Sequence, residues 1–389
     1  MMASLTAYRR ARPTAFLSPL LGLAVLAGGA AVALLSGASR TQLLHSYLLA
    51  YVFWLSAALG CLGLLLLHPL VGGRWAVPIR RFLEAGAGTL PLLLLCLLPL
   101  LLGLRDLYPW AGPRAAEAAL RPQHSYLSAP FFVGRLLFCF AIWLLLGALA
   151  RRFSLAQDRL PRERPTEQLK LLGAPGLILY VLTVSLALWD LTATLDPRWH
   201  STVYGLLMIA AQGLIALAFA VLALLVFSGQ APLREQASQE HLHDLGNLLL
   251  ALLLLWAYLS FMQLIITWSG NLPDEVRFYA PRLQGAFGRI GAALVVFHFA
   301  APFLGLLSRS LKRRRGSLFA LALLIFGGAW LDLFWLVAPG LQRQGAAFWL
   351  LDLAFTLGVG GLFVGIYLIR LGGRSLVSIG AAHVHDRAE

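Results

Sequence analysis

The stretch VVFHFAAPF, from Val295 to Phe303, sets one histidine, His298, inside an apolar run and follows it four residues later with Pro302. An imidazole titrates near neutrality, so it can take up and release protons there. Proline has no N–H, and the helical hydrogen bond to the carbonyl of residue 298 cannot form. The helix should bend at this point and leave a polar backbone group beside the ring. Other polar groups stand in similar apolar surroundings: Glu84, Arg135, Asp190, Gln212 and Asp332. An ionisable side chain at the middle of a hydrocarbon layer costs about 2.5–3.5 kcal/mol on insertion scales, which makes each of these a functional candidate. His298, Asp332, Asp190 and Glu84 are the candidate stations of a proton relay, with His298 and Asp332 at its centre. His298, Gln212 and Arg135 are the candidate contacts of a polar pocket. The alternative for every one of them is hydrogen bonding between helices, worth about 0.6 kcal/mol per contact. Arg135 is near enough to the end of its apolar run to snorkel to the interface.

These residues need a scaffold, and the composition names it. The chain has 389 residues, 59% hydrophobic and 12% charged. Soluble domains carry about twice that share of charge. Ten apolar runs can each cross a bilayer: 16–37, 43–67, 83–104, 130–150, 171–191, 203–227, 245–268, 288–308, 318–338 and 347–370. Backbone groups in lipid must be satisfied within the segment, so runs of this length are helices and the fold class is an all-α integral membrane protein. An even number of spans puts both termini on one side. Of the 31 Lys and Arg, 21 lie on that side and 9 on the other, which makes it the cytoplasmic side by the positive-inside rule. The run KRRRG at 312–316 would then meet anionic headgroups.

Several functions are excluded by the same reading. The net charge of +14 comes from short loops between apolar runs and serves topology, so no nucleic-acid partner is expected. Cys61, Cys96 and Cys139 are isolated in apolar segments and suit packing. There is no C-x-x-C-H, P-loop, H-E-x-x-H or dinucleotide fingerprint, and no pair of histidines at haem spacing. No metal, no directly bound cofactor and no catalytic residue is therefore expected. The apolar run that starts at Phe16 is longer than a usual signal-peptide core and reads as a retained first helix.

The polar loop 151–170, RRFSLAQDRLPRERPTEQLK, is the clearest internal boundary. Gly134-Arg135 at the start of the fourth span is echoed by Gly288-Arg289 at the start of the eighth. Trp189-Asp190 near the end of the fifth is echoed by Trp330-Leu331-Asp332 in the ninth. Two four-helix units of equal orientation, over 43–191 and 203–338, would explain both echoes.

An ordered series of segments adds a resemblance. They are FWLSAALGCLGLLLLHPLVGG (53–73), IRRFLEAGAGTLPLLLL (79–95), LYPW (107–110), PFFVGRLLFCFAIWLLL (130–146), PGLILYVLTVSLALWDLTATLDPRWHSTVYGLL (175–207), HDLGNLLLALLLLWAYLSFMQLIITWSGNLPDE (243–275), FHFAAPFLGLLSRSLKRR (297–314) and WLDLFWLVAP (330–339). Over nearly its whole length the chain resembles the ActF-type membrane subunit of bacterial alternative complex III, the quinol:cytochrome c oxidoreductase, within the NrfD-like polysulfide-reductase anchors. The resemblance implies ten helices: two four-helix bundles flanked by a peripheral first helix (16–37) and a peripheral last helix (347–370), with a cytoplasmic tail at 371–389. It implies a bacterial inner-membrane subunit of a quinol-oxidising respiratory complex, acting as scaffold with a proton pathway or a quinone contact; His298, Gln212 and Arg135, singled out above by their place in the spans, are the candidate contacts. The expected partners are an NrfD-like paralogous subunit, an iron–sulfur subunit and haem c subunits, together with lipid and the quinone pool. Haem c and iron–sulfur clusters would sit in those partners, and a quinone or menaquinone is the one ligand expected near this chain. The other readings of the sequence are a secondary transporter, which an internal repeat and a proline-bent helix permit, and a purely structural anchor.

Overall fold

The computed structural model describes residues 17–32, 39–112, 126–159, 163–229, 233, 237–341 and 348–372. All regular elements among them are helical. Among the described residues nine helices are long and apolar enough to cross a membrane: α2 (Arg40–Val71), α3 (Arg80–Leu102), α4 (Ala129–Asp158), α5 (Pro165–Leu195), α6 (Tyr204–Phe227), α7 (Gln239–Gly270), α8 (Gly285–Leu307), α9 (Arg315–Leu341) and α10 (Trp349–Leu371). A shorter apolar helix, α1 (Leu17–Val32), precedes them. The chain is a multi-pass, all-α membrane protein. Residues 16, 33–37 and 347 of the expected first and last spans, and the expected tail from 373 onward, lie outside the described residues.

Polar residues set the helix ends. Ser39 caps α2 and exchanges hydrogen bonds with Gln42 in a capping box. Ser238 caps α7, which closes on Asn271 in the left-handed conformation. Pro91 and Pro99 divide α3 into short helical pieces, because each removes a backbone donor from the ladder. Pro69 and Pro175 are accommodated within α2 and α5.

The longest apolar stretch of α2 is almost wholly buried, and this helix is the hub of the fold. It packs on α3, α4 and α5 and also on α6, α9 and α10. Its counterpart α6 packs on α2, α5, α7 and α9, while α8 lies against α7 and α9. The hubs α2 and α6 therefore form the seam between residues before and after position 200. The last helix is seated directly on α2, where Trp54 Nε1 donates to the Thr356 carbonyl at 2.8 Å. Outside it lies α1, whose Ser18 hydroxyl donates to the Gly361 carbonyl at 2.8 Å. By contrast, α7 and α8 keep long apolar flanks exposed, including Tyr258, Phe261, Trp268 and Phe297. Such a face suits lipid or a protein neighbour.

Candidate functional site

His298 is buried, and α8 changes its winding around it. Residues Leu294–Ala300 form a π-helical turn, in which the Ala301 N–H reaches the Val296 carbonyl five residues back. The sequence predicts a bend and an unbonded carbonyl at Pro302. The structure shows a widened turn immediately before the proline. A π turn places each bonded N–H five residues after its carbonyl and adds one residue to the helical turn. Within the turn only Leu294 and His298 are buried, whereas Val295, Val296 and Phe297 face outward.

Two neighbours hold the imidazole. On α9, Gly328 provides the space: a Cβ there would fall on His298 Nδ1 and stand 2.7 Å from its Cγ. On α7, Trp256 meets the imidazole edge-to-face with centroids 4.4 Å apart. The Trp256 Nε1 donates to Asp332 Oδ2 at 3.0 Å, and Asp332 is buried one helical turn beyond Gly328. Both nitrogens of His298 are without a hydrogen-bond partner among the described residues. An imidazole nitrogen can bond a water molecule or a hydroxyl. An indole N–H does not ionise in the working pH range, so Trp256 positions the two titratable groups and does not itself pass a proton. Trp256→Phe keeps an aromatic ring against His298 and removes the donor to Asp332. Its expected cost is about 1–3 kcal/mol, the penalty for a buried acceptor losing its donor. Denaturant titration in detergent micelles would read it.

The expected relay is only partly assembled. His298 and Asp332 are brought together through Trp256, while the other candidates have partners of their own. Asp190 on α5 is fully buried and paired with Arg135 on α4 through both oxygens, Nε to Oδ2 at 2.8 Å and Nη2 to Oδ1 at 2.9 Å. Arg135 therefore does not snorkel; it turns inward, because a bidentate carboxylate is available between the helices. Tyr126 closes this group. Its hydroxyl donates to Asp190 Oδ1 at 3.2 Å, its carbonyl accepts from Arg135 Nη1, and its ring lies 3.8 Å from the guanidinium. Burial, with the Asp190 carboxylate second, pushes the Tyr126 phenol up to about 12, so it remains a donor.

Gln212 on α6 accepts from the Tyr180 hydroxyl at 2.8 Å, and its contacts, like those of Arg135, do not join it to His298. The candidate polar-pocket contacts His298, Gln212 and Arg135 thus each have neighbours of their own: Trp256, Tyr180 and Asp190. Glu84 on α3 lies in a compensated network. It pairs with Arg80 at 3.4 Å and with Arg81, and it accepts from Ser154, while Arg81 also reaches Asp158. Arg80 continues through Gln157 to Thr166 at 2.8 and 2.9 Å, tying α3 to α4 and α5. A cavity of about 180 Å³ borders Glu84 and Lys170. Among the described residues no cluster of three or more His, Cys, Asp or Glu could hold a metal ion.

The internal echo has a limit as well. Arg289, the counterpart of Arg135, is exposed, and Asp332, the counterpart of Asp190, takes its hydrogen bond from an indole. Trp256 and Gly328 are the members of the His298 site that the sequence reading does not single out. The Gly327-Gly328 pair, rare space inside an apolar span opposite a histidine, is the signal that could have found them. No family model matches the chain, and no curated protein is similar to it at a significant level.

Proposed function

We propose that this chain is a membrane subunit of a quinol-oxidising respiratory complex, of the ActF type that its sequence motifs resemble, and that it supplies a protonatable site deep in the membrane. One observation carries the reading: His298, buried on a π-helical turn with both ring nitrogens unpartnered, one indole away from the buried carboxylate of Asp332. A histidine kept only to fasten helices would be expected to spend its nitrogens on neighbours. Local π turns are frequent at functional sites, and buried groups of this kind have a use wherever protons move with electrons.

In this role His298 takes the proton and Asp332 receives it through solvent or a quinol hydroxyl, with Trp256 fixing both. Electrons travel in iron–sulfur and haem c partner subunits, and an NrfD-like subunit lies beside this one. The complex resides in the bacterial inner membrane, with both termini of this chain in the cytoplasm. The ion pair Arg135–Asp190 and the Glu84 network are structural ties in this reading.

The test uses the assembled complex. His298→Asn and Asp332→Asn are expected to lower quinol oxidation or the accompanying proton release by roughly 100-fold, the lower end of the range for a general acid–base group. Subunit composition should be unchanged. Normal assembly with unchanged rates in both variants would reduce the site to a packing feature.

A further inference from the structure

The protein end at which α5 and α9 terminate carries a cavity of about 420 Å³, lined by Asp196, Arg198, Arg277, Phe278, Arg282 and Leu336 among others. Three guanidinium groups thus face one carboxylate. Asp196 reaches Arg277 only at 3.9 Å, and that pair is solvent-accessible. Arg198 is exposed at the rim.

Arg282 is different, being only 3% exposed. Its Nη1 donates to the Phe278 carbonyl and its Nη2 to the Leu336 carbonyl, and its plane stacks on the Phe278 ring at 3.4 Å. Its Nε has no partner, and no carboxylate lies within ion-pair distance among the described residues. Burial pulls this guanidinium down to about 10, which still leaves it charged at neutral pH. The fold therefore holds a cation in place at a cavity wall, with its Nε unpartnered and no carboxylate paired to it among the described residues. A buried charge is stable when something compensates it.

We propose that this cavity binds a phosphate group, with Arg282 as its fixed cation and Arg198 and Arg277 closing from the rim. Guanidinium forks match phosphate oxygens in pairs, which is why arginines recur at such sites. The cavity lies beside the ends of spanning helices, at the depth of lipid headgroups. Leu195, Phe278 and Leu336 supply apolar wall next to the arginines. That combination fits the headgroup of an anionic phospholipid, and the same arginines would hold a free phosphate ion. The site is separate from His298 and does not depend on the respiratory reading.

The experiment uses the full chain in nanodiscs. In phosphatidylcholine discs, inorganic phosphate is titrated while the thermal unfolding midpoint is followed. In parallel, discs containing phosphatidylglycerol are delipidated stepwise and the retained lipid is counted by native mass spectrometry. A saturable shift with inorganic phosphate identifies the free ion, and phosphatidylglycerol retained after phosphatidylcholine is lost identifies the lipid. The double variant Arg198→Gln/Arg277→Gln alters only exposed side chains and should weaken the active probe at least tenfold. Arg282→Gln should abolish binding, and the double variant keeps the test valid should that substitution prevent folding. The proposal fails if neither probe binds the unaltered chain saturably, or if the double variant binds both as well as the unaltered chain does.

Discussion

Arg135→Leu is expected to destabilise the folded chain by about 3–5 kcal/mol, the cost of leaving a buried carboxylate without its counter-charge. Asp190 is fully buried, and Arg135 satisfies both of its oxygens. Without the guanidinium, the Tyr126 hydroxyl at 3.2 Å is the side-chain partner that remains among the described residues. The same substitution frees the Tyr126 carbonyl and removes the cation from its ring, so the turn before α4 loses its anchor. Asp190→Asn should cost less, because the amide is neutral and its oxygen still accepts from Arg135. Arg135→Leu/Asp190→Leu should recover most of the loss, since two apolar side chains of similar size need no partner. A double-mutant cycle read by denaturant titration in micelles measures the coupling directly. A coupling below about 0.5 kcal/mol would mean that the pair does not tie α4 to α5. Under the proposed function, full quinol turnover by the assembled double variant would place Asp190 outside any proton path.

The spans were legible because lipid leaves the backbone one economical answer over twenty apolar residues, and hydropathy alone locates it. Side-chain partners were not legible. Arg135 and Asp190 are 55 residues apart, and spacing cannot say that α4 and α5 bring them face to face. Distance from the end of the run suggested snorkelling for Arg135, yet the presence of a bidentate acceptor decided otherwise. Proline told the sequence reader that a donor was missing at Pro302, but that loss does not say whether the helix bends or its winding widens before the proline. Trp256 looked like any tryptophan of an apolar span, because its indole gains meaning only from Asp332 across the helix pair. By sequence alone Arg282 belongs with the loop charges that set topology, since it precedes α8. Its burial arises from Phe278 and the end of α9, which sequence order hides.

Gly60→Ala is expected to cost about 1–3 kcal/mol, and Gly60→Leu more, because the seam between α2 and α6 has no room for a side chain. A Cβ at Gly60 would fall on the backbone carbonyl oxygen of Gln212, 2.6 Å from its carbon and 2.7 Å from the Ala216 Cβ. A rotamer change cannot relieve a clash with backbone, so the two hub helices must separate. Neighbouring glycines grade the argument. At Gly63 a Cβ meets the ring of Tyr180 at 2.8 Å, and a side-chain tip can shift. The cost there should be smaller and should appear as a weakened Tyr180–Gln212 hydrogen bond. At Gly213 the nearest atoms are Leu252 methyls at 3.7 Å, so Ala fits. Gly213→Ala should be neutral or gain up to about 1 kcal/mol from helix propensity. Unfolding midpoints should therefore fall in the order Gly213→Ala, unaltered chain, Gly63→Ala, Gly60→Ala. Equal midpoints for Gly60→Ala and Gly213→Ala would show that the hub helices do not touch backbone to backbone. The His298 site is built from α7, α8 and α9 and does not use this seam. A Gly60 variant that remains folded thus separates two roles, loosening the hub while leaving the imidazole and Asp332 in place. Under the proposed function, quinol turnover in the assembled complex that survives that loosening and fails on His298→Asn would assign the chemistry to the imidazole and not to the rigidity of the scaffold around it.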